Sequence, residues 1–540
     1  MQRHLLREIR LNWKSGLTVA LVSIPLSLSL AIASGATPIM GIITAIWAGL
    51  VAAILGGSEF NVVGPAGALS GILASFVLVH GMTLLPLVAI LSGVLIFLCY
   101  LLRWDRYLVF IPSSVMHGFT LGVGLTIGFG QVNAALGLKG LPVHETLLEN
   151  LRESIQHIGS VHWPAFVLFI VVLIGLFILV RVAPRVPGAV VAALIGICIG
   201  YFSDAHMLPF TVQTLLSKYG QFNATVIQLP HFAFSMIDGT ILKTVFTVTI
   251  VAILETLLSA KIVDAMTGTR FNQKREMFGL AIANIASGLT GGLPATGVLA
   301  RTAINAKSGA TSRYSSGLNA VFVLVIVLTL FRGFQYLPLA VVASILVFAA
   351  IRMVESEHFI KLFRFDQSAF WLALLVALLT FGVDPMIGIL VGAAIALLQF
   401  VQRLSRSQGE VTLHHRSRAM ERVPLAMLSQ YQQEDDVVVY RLAGELTYFN
   451  GAFHKDSIAN VKARAIILSL RNLYYIDLDG MHFLQETVEE CRKGGQCVLM
   501  SGVNDTIKPQ LEKNTWFIGE EKSKEVFRST TEALRSLGLS

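Results

Sequence analysis

Two stretches decide how this chain folds: Asn61-Val-Val-Gly-Pro-Ala-Gly-Ala-Leu-Ser70 and Thr290-Gly-Gly-Leu-Pro-Ala-Thr-Gly-Val-Leu299. Each reads as a short extended approach, a proline, small residues and then an apolar run too short to cross a bilayer. Proline suits a first helical position, where its missing N–H would be unpaired anyway, and glycine allows backbones to approach closely. The two stretches open the third and the tenth apolar segments, which are equivalent places in two halves of the chain. One alone reads as well as a kinked span. A matched pair of short, Gly/Pro-interrupted segments points to a binding site at the middle of an inverted-repeat membrane protein.

The surroundings agree. Only 14% of the residues are charged, against roughly 25% in ordinary globular usage. Charges are sparse from Gly16 to Gln402 and dense from Arg403 onward, which separates a membrane part from a water-soluble tail. A spanning helix needs about 20 mostly apolar residues. Candidate segments fall near 15–33, 38–56, 65–80, 84–102, 115–136, 164–182 and 188–204, then near 240–260, 277–292, 294–308, 317–332, 336–352, 369–383 and 385–402. This predicts an α-helical polytopic protein of fourteen segments, seven plus seven. The expected domains are a cytoplasmic N-terminus at 1–14, a transmembrane part at 15–408 (repeats about 15–204 and 240–402) and a soluble domain at 423–540.

Basic residues follow the even-numbered segments: Arg103/Arg106, Arg181/Arg185, Lys261/Arg270/Lys274/Arg275, Lys307/Arg313, Arg352/Lys361/Arg364 and Arg403/Arg406. That is the positive-inside pattern and predicts cytoplasmic N- and C-termini. The basic N-terminus is followed by a membrane-length run, so it does not read as a cleavable signal. In the tail, Val437–Leu442, Ala465–Leu470 and Gln496–Ser501 read as buried strands and Asp479–Lys493 as an amphipathic helix, a small α/β domain. Cys99, Cys198, Cys491 and Cys497 match no zinc or disulfide pattern. The net charge of +8 flanks apolar segments, so it argues for topology rather than nucleic acid.

The chemistry expected of the pair follows from helix ends. The first N–H groups of a helix lack intrahelical partners and its N-terminus is partly positive, so two such ends facing each other would hold an anion with little side-chain help. The expected donors are the amides of Ala66, Gly67 and Ala68 and of Thr296, Gly297 and Val298, with hydroxyls from Ser27, Ser70 and Thr296. Arg301, seven residues beyond Pro294, would add positive charge; the alternative is an interfacial arginine. Glu255 is the one charge between Lys243 and Lys261. An intramembrane carboxylate is a functional candidate by default: a proton-coupling group with Ser259 one turn on, or a fixed partner of Arg301. His80, His117 and the His144/His157/His162 group have no metal-ligand spacing, and no metal, cofactor, Walker A loop or hydrolase motif is expected. The chain does not read as an enzyme.

Gly16-Leu-Thr-Val-Ala with Ile24-Pro25, Val63-Gly-Pro-Ala66, Glu255-Thr-Leu-Leu-Ser-Ala-Lys261 and Gly292-Leu-Pro-Ala-Thr-Gly297 followed by Arg301-Thr and Asn305-Ala-Lys-Ser-Gly309 resemble the sulfate permease (SulP) family. These are bacterial relatives of mammalian solute carrier family 26. The tail resembles a sulfate-transporter and anti-sigma-factor-antagonist (STAS) domain, with Tyr475-Ile-Asp-Leu-Asp-Gly480 at its signature loop. The resemblance implies core and gate domains, a substrate site between the third and tenth half-helices, homodimers, and substrates such as sulfate, bicarbonate or dicarboxylates. It also implies positive charge at the site from Arg301 and a coupling role for Glu255. Three places depart from many members of the family: Asn12-Trp-Lys14 stands where an acidic residue precedes the first helix, Leu26 where a glutamine often follows the proline, and Leu478 and Asp479 where anti-sigma antagonists carry phosphorylatable serines.

The reading is therefore a secondary active transporter of small anions in a bacterial inner membrane, coupled to protons or exchanging, with proton favoured over sodium. Rival readings are an anion channel on the same scaffold, a sodium-coupled bicarbonate transporter, a nucleobase permease and a membrane-anchored regulator acting through the tail. Expected partners are the anion, the bilayer, a second copy of the chain and a cytosolic regulator of the STAS domain.

Overall fold

The structure is a computed structural model that describes residues 2–106, 112–142, 144, 147–183, 186–221, 225–230, 238–354, 356–383, 385–406, 409–414, 420–423, 437–459, 461 and 463–539. Arg185, one of the expected flanking charges, lies outside them. The chain forms two compact units, Met1–Ala396 and Leu397–Ser540.

A helix meets each of the fourteen apolar stretches. They are α1 (Gln2–Ala33), α2 (Pro38–Leu55), α3 (Gly67–His80), α4 (Leu85–Leu101), α5 (Ser113–Phe129), α6 (Trp163–Val182) and α7 (Gly188–Asp204). The second set is α8 (Gly239–Thr267), α9 (Gln273–Leu289), α10 (Leu299–Lys307), α11 (Tyr314–Phe334), α12 (Leu339–Met353), α13 (Gln367–Gly382) and α14 (Pro385–Arg406). Among the described residues, nine helical stretches are long and apolar enough to cross a membrane. The shortest of the fourteen are α3 and α10. At 1.5 Å per residue they reach only about 21 Å and about 14 Å, short of a hydrocarbon core of ~30 Å.

The packing repeats itself when each helix of the first seven is exchanged for its counterpart in the second. Helix α4 packs on α9 as α11 packs on α2; α1 on α11 as α8 on α4; α5 on α13 as α12 on α6. Helices α2 and α9 pack on each other, as do α5 and α12. At the centre of this arrangement two short strands pair antiparallel, β1 (Val63–Gly64) and β2 (Thr296–Gly297), with Val63 opposite Gly297 and Gly64 opposite Thr296. They belong to the two stretches quoted at the outset. Backbone polar groups in a membrane must be satisfied internally, and this ladder does so for the approaches to α3 and α10.

The second unit holds a six-stranded sheet in the order β4-β3-β5-β6-β7-β8. Its strands are β3 (Gly409–His414), β4 (Met420–Val423), β5 (Val437–Leu446), β6 (Ala465–Ile476), β7 (Cys497–Ser501) and β8 (Val526–Phe527). Strands β5 to β8 run parallel, and β3 pairs antiparallel with both β4 and β5. The sheet thus starts upstream of Val423. Helices α15 (Gly451–Ala459) and α16 (Leu478–Lys493) pack together, where the sequence predicts an amphipathic helix. Asp477 caps α16, its Oδ1 accepting from Gly480 N–H at 2.7 Å, and Leu478 in the signature loop is exposed.

Candidate functional site

The two half-helices start later than their prolines suggest. Helix α3 begins at Gly67 after Ala66, and α10 begins at Leu299 after Val298. Pro65 and Pro294 therefore lie in the extended approaches and not at first helical positions. The reason is the β1–β2 ladder. It keeps the backbone extended up to each helix, and Val298 N–H continues it by donating to Val62 O at 3.0 Å.

This changes which amides are spare. Gly297 N–H donates to Thr256 Oγ1 at 2.7 Å, so Gly297 and Val298 both spend their N–H groups within the fold. Neither helix start has a capping side chain. The first-turn amides without intrahelical partners are then those of Gly67 and Ala68 on one side and of Leu299 and Ala300 on the other. Ala66, Gly67, Ala68, Thr296 and Gly297 are all buried.

Arg301 stands in the first turn of α10, not two turns in. Helical side chains lean back toward the N-terminus, so its guanidinium reaches over the ladder. Nη2 donates to Pro65 O at 3.0 Å, and Nη1 lies so close to Gly64 that a Cβ there would sit at 2.5 Å from it. Arg301 is 1% exposed, and its Nε has no partner among the described residues. A buried N–H on a charged group without an acceptor is costly.

Glu255 lies within α8, half-buried. Its Oε2 accepts from Thr296 Oγ1 at 2.7 Å. No ion pair joins it to Arg301 among the described residues, so the permanent-partner alternative finds no contact here. Ser259, one turn on, turns its hydroxyl to Asn61 Oδ1 at 3.0 Å. Ser70 donates to Gly67 O at 2.7 Å. Ser27 is fully buried on α1, which packs against both half-helices, and among the described residues its hydroxyl has no partner, nor have those of Ser23 and Ser29.

The histidines do other things. His80 Nε2 meets Asp238 Oδ2 at 3.0 Å, His117 stacks on His358, and His144 and His157 both approach Glu153. A cavity of about 420 Å³ between α5, α6 and α12 is lined almost wholly by apolar groups, among them Phe129, Phe166, Phe169 and Val347. It offers little to an anion. The charged, unsatisfied centre is the ladder region. Sequence reading missed Asn61 and Glu276 beside it; the Gly56-Gly57 pair before Asn61 was the available signal of close packing.

Comparison with known proteins supplies relatives of the whole chain. The sulfate permease family matches residues 9–376, and the STAS domain matches residues 428–517. The chain is 29% identical over 521 residues to a putative sulfate transporter, YvdB, of Bacillus subtilis, covering 95% of each chain. It is 24% identical over 535 residues to the bicarbonate transporter BicA of Picosynechococcus, covering 94% of this chain and 91% of that one. In fold it resembles the murine solute carrier 26 family member A9 anion transporter in the inward-facing state. That match has a TM-score of 0.80 at 15% identity and covers 97% of this chain and 91% of the other.

Proposed function

The chain belongs to the sulfate permease family and is a multi-pass membrane protein with a C-terminal STAS domain, and from that premise we propose that it is a secondary active transporter of small anions. Sulfate, bicarbonate and short dicarboxylates are the substrate class. The observation that carries this is the buried Arg301 with an unpartnered Nε, set between two uncapped half-helix starts. The spare amides of Gly67, Ala68, Leu299 and Ala300 and the two helix dipoles complete a cradle for negative charge. Ser27 adds a free hydroxyl. The relatives' names support the anion class: YvdB is called a putative sulfate transporter and BicA a bicarbonate transporter.

Proton coupling is part of the proposal. Glu255 is tied through Thr296 to the β2 strand, so a bare carboxylate there would repel an incoming anion, and a proton on it would remove that repulsion. Fourteen spans with both termini in the cytoplasm of a bacterial inner membrane fit the basic loops. An N-terminus at 1–14, a membrane domain at 15–408, a soluble domain that begins with β3 at Gly409 rather than at 423 and runs to 540, a homodimer and a cytosolic partner for the STAS domain belong to the same reading.

The test is uptake of labelled sulfate, bicarbonate and fumarate into proteoliposomes, each with an imposed proton or sodium gradient. Saturable uptake of one anion, enhanced by an inward proton gradient, is expected. Uptake of none of the three sinks the proposal. A sodium requirement moves it to the sodium-coupled alternative, and large unitary currents move it to a channel.

A further inference from the structure

Glu276 draws no attention in the sequence, where it follows Lys274 and Arg275 in the first turn of α9. In the structure it is 3% exposed. Its Oε2 accepts from two backbone amides, Gly57 N–H at 2.6 Å and Ser58 N–H at 2.8 Å. Its Oε1 accepts from Asn61 Nδ2 at 2.7 Å. The loop that leads into β1 is thus folded around a carboxyl group from the other half of the chain. Gly57 has to be glycine, because a Cβ would strike Asn272 O.

Asn61 passes the connection on. Its Oδ1 accepts from Ser259 Oγ at 3.0 Å and from Thr302 Oγ1 at 2.9 Å, and its Nδ2 also points at Thr256 O at 3.3 Å. Thr302 Oγ1 in turn accepts from Val62 N–H at 3.0 Å. Thr302 is the residue after Arg301, Ser259 lies one turn from Glu255, and Thr256 holds the amide of Gly297. One amide side chain therefore joins α8, α9 and α10 directly behind the ladder. Both its side-chain polar atoms are used, whereas the buried Nε of Arg301 has no partner among the described residues.

We propose that Asn61 and Glu276 are a positioning pair for the anion site: a buried hydrogen-bond hub that fixes the register of the two half-helix starts and thereby the place of Arg301. Neither residue touches the anion. The inference rests on the transport reading above, but its pairing is testable apart from it.

Donor and acceptor geometry supplies the test. In Glu276→Gln, the amide oxygen can still take both backbone N–H groups, but its nitrogen then faces Asn61 Nδ2, donor against donor. Flipping Asn61 only moves the conflict, since its oxygen would then face Thr256 O. In Asn61→Asp, two carboxylates face each other. The double variant Asn61→Asp/Glu276→Gln restores a donor facing an acceptor at every contact except the weak one at Thr256 O. A structure left with buried unmatched polar groups loses stability, and coupling between the two positions appears as non-additivity in a double-mutant cycle.

Full-length protein in detergent is measured for melting temperature and, in proteoliposomes, for uptake of the anion that the wild type accepts among sulfate, bicarbonate and fumarate. Each single variant is expected to melt lower, and the double variant to recover more than half of the loss. Thr302→Val, which unties α10 from Asn61 and leaves Val62 N–H without its acceptor, is expected to raise KM several-fold while changing the maximal rate less than twofold. Thr302→Ser is expected to keep the wild-type KM. A double variant no closer to the wild type than its singles overturns the pair, and a wild-type KM in Thr302→Val overturns the positioning role. If the wild type takes up none of the anions, the transport reading fails while the melting cycle still reads the pair.

Discussion

The starts of α3 and α10 occupy equivalent places and meet across one antiparallel ladder, yet they are furnished differently. Both starts offer spare amides, but the α3 start adds a glycine at position 64 and the carbonyl of Pro65. The α10 start has spent the N–H groups of Gly297 and Val298 on the fold but carries the buried arginine, with Thr296 reaching Glu255. The repeat supplies a symmetrical frame, and the side chains break the symmetry. One half supplies surface and space, the other charge and a titratable neighbour. A site made only of matched backbone ends would attract anions; an unequal pair adds a titratable carboxyl, which the proposed proton coupling needs.

Removing the charge breaks the inequality most severely. Arg301→Ala is expected to lower the affinity for the transported anion by about 10- to 100-fold, the loss of one charged hydrogen bond, with folded protein retained. Unchanged affinity in uptake or in an anion-dependent melting shift would show that the α10 side is not the charged side. A gentler version acts from the opposite half. Gly64→Ala places a methyl against Arg301 Nη1, and the flexible guanidinium can move aside. KM should rise roughly threefold to tenfold, about 0.7 to 1.4 kcal/mol, and the double variant with Arg301→Ala should be no worse than Arg301→Ala alone. Additive losses would place the two effects at separate points.

Glu255→Gln tests the titratable neighbour. It should leave uptake without a gradient within about twofold, yet abolish the acceleration by an inward proton gradient, because the amide mimics the protonated acid and cannot release a proton. A variant that still responds to the gradient makes Glu255 structural.

The smallest effect belongs to the other unit and serves as a control. His454 in the soluble unit sits against Tyr440, with Tyr440 Oη and His454 Nδ1 at 2.8 Å, and burial pushes its pKa down to about 4. The unfolded histidine, near 6.5, binds a proton more readily than the folded one. Stability contributed by neutral His454 is therefore present above pH 6.5 and is lost as pH falls toward 4, by about 2 kcal/mol between pH 7 and 5. The urea midpoint of the soluble unit should drop accordingly, and His454→Gln should flatten that slope. Transport at neutral pH should not change with this variant.

Much of this was legible in the chain. Apolar runs located the helices, the two Pro/Gly stretches located the half-helix starts, and β-rich apolar runs located three strands of the soluble sheet. What local reading misplaced was the helix start itself. Pro65 and Pro294 look like first helical residues because proline fits there, but the ladder between distant segments holds both approaches extended for longer. For the same reason Arg301 lies one turn nearer the end of its helix than counting from Pro294 suggests. Glu276 was hidden more thoroughly: beside Lys274 and Arg275 it resembles an acid in a solvated first turn, which is where helices favour acids anyway. Its burial comes from a loop 215 to 219 positions away folding over it, and no periodicity records that.

The ladder also has a consequence for how the protein is made. Pro65 O and its donor Arg301 are 236 positions apart, so a ribosome working at roughly 5–20 residues per second completes the first half of the site tens of seconds at most before the second. Throughout that interval the backbone groups of Val63 and Gly64 have no ladder partner, within a half-built chain already placed in lipid. Closing so long a loop is a late event in folding. The ladder is therefore among the last parts of the membrane unit to take shape, and a chain interrupted before Gly297 would carry many of the helices but not the proposed anion cradle.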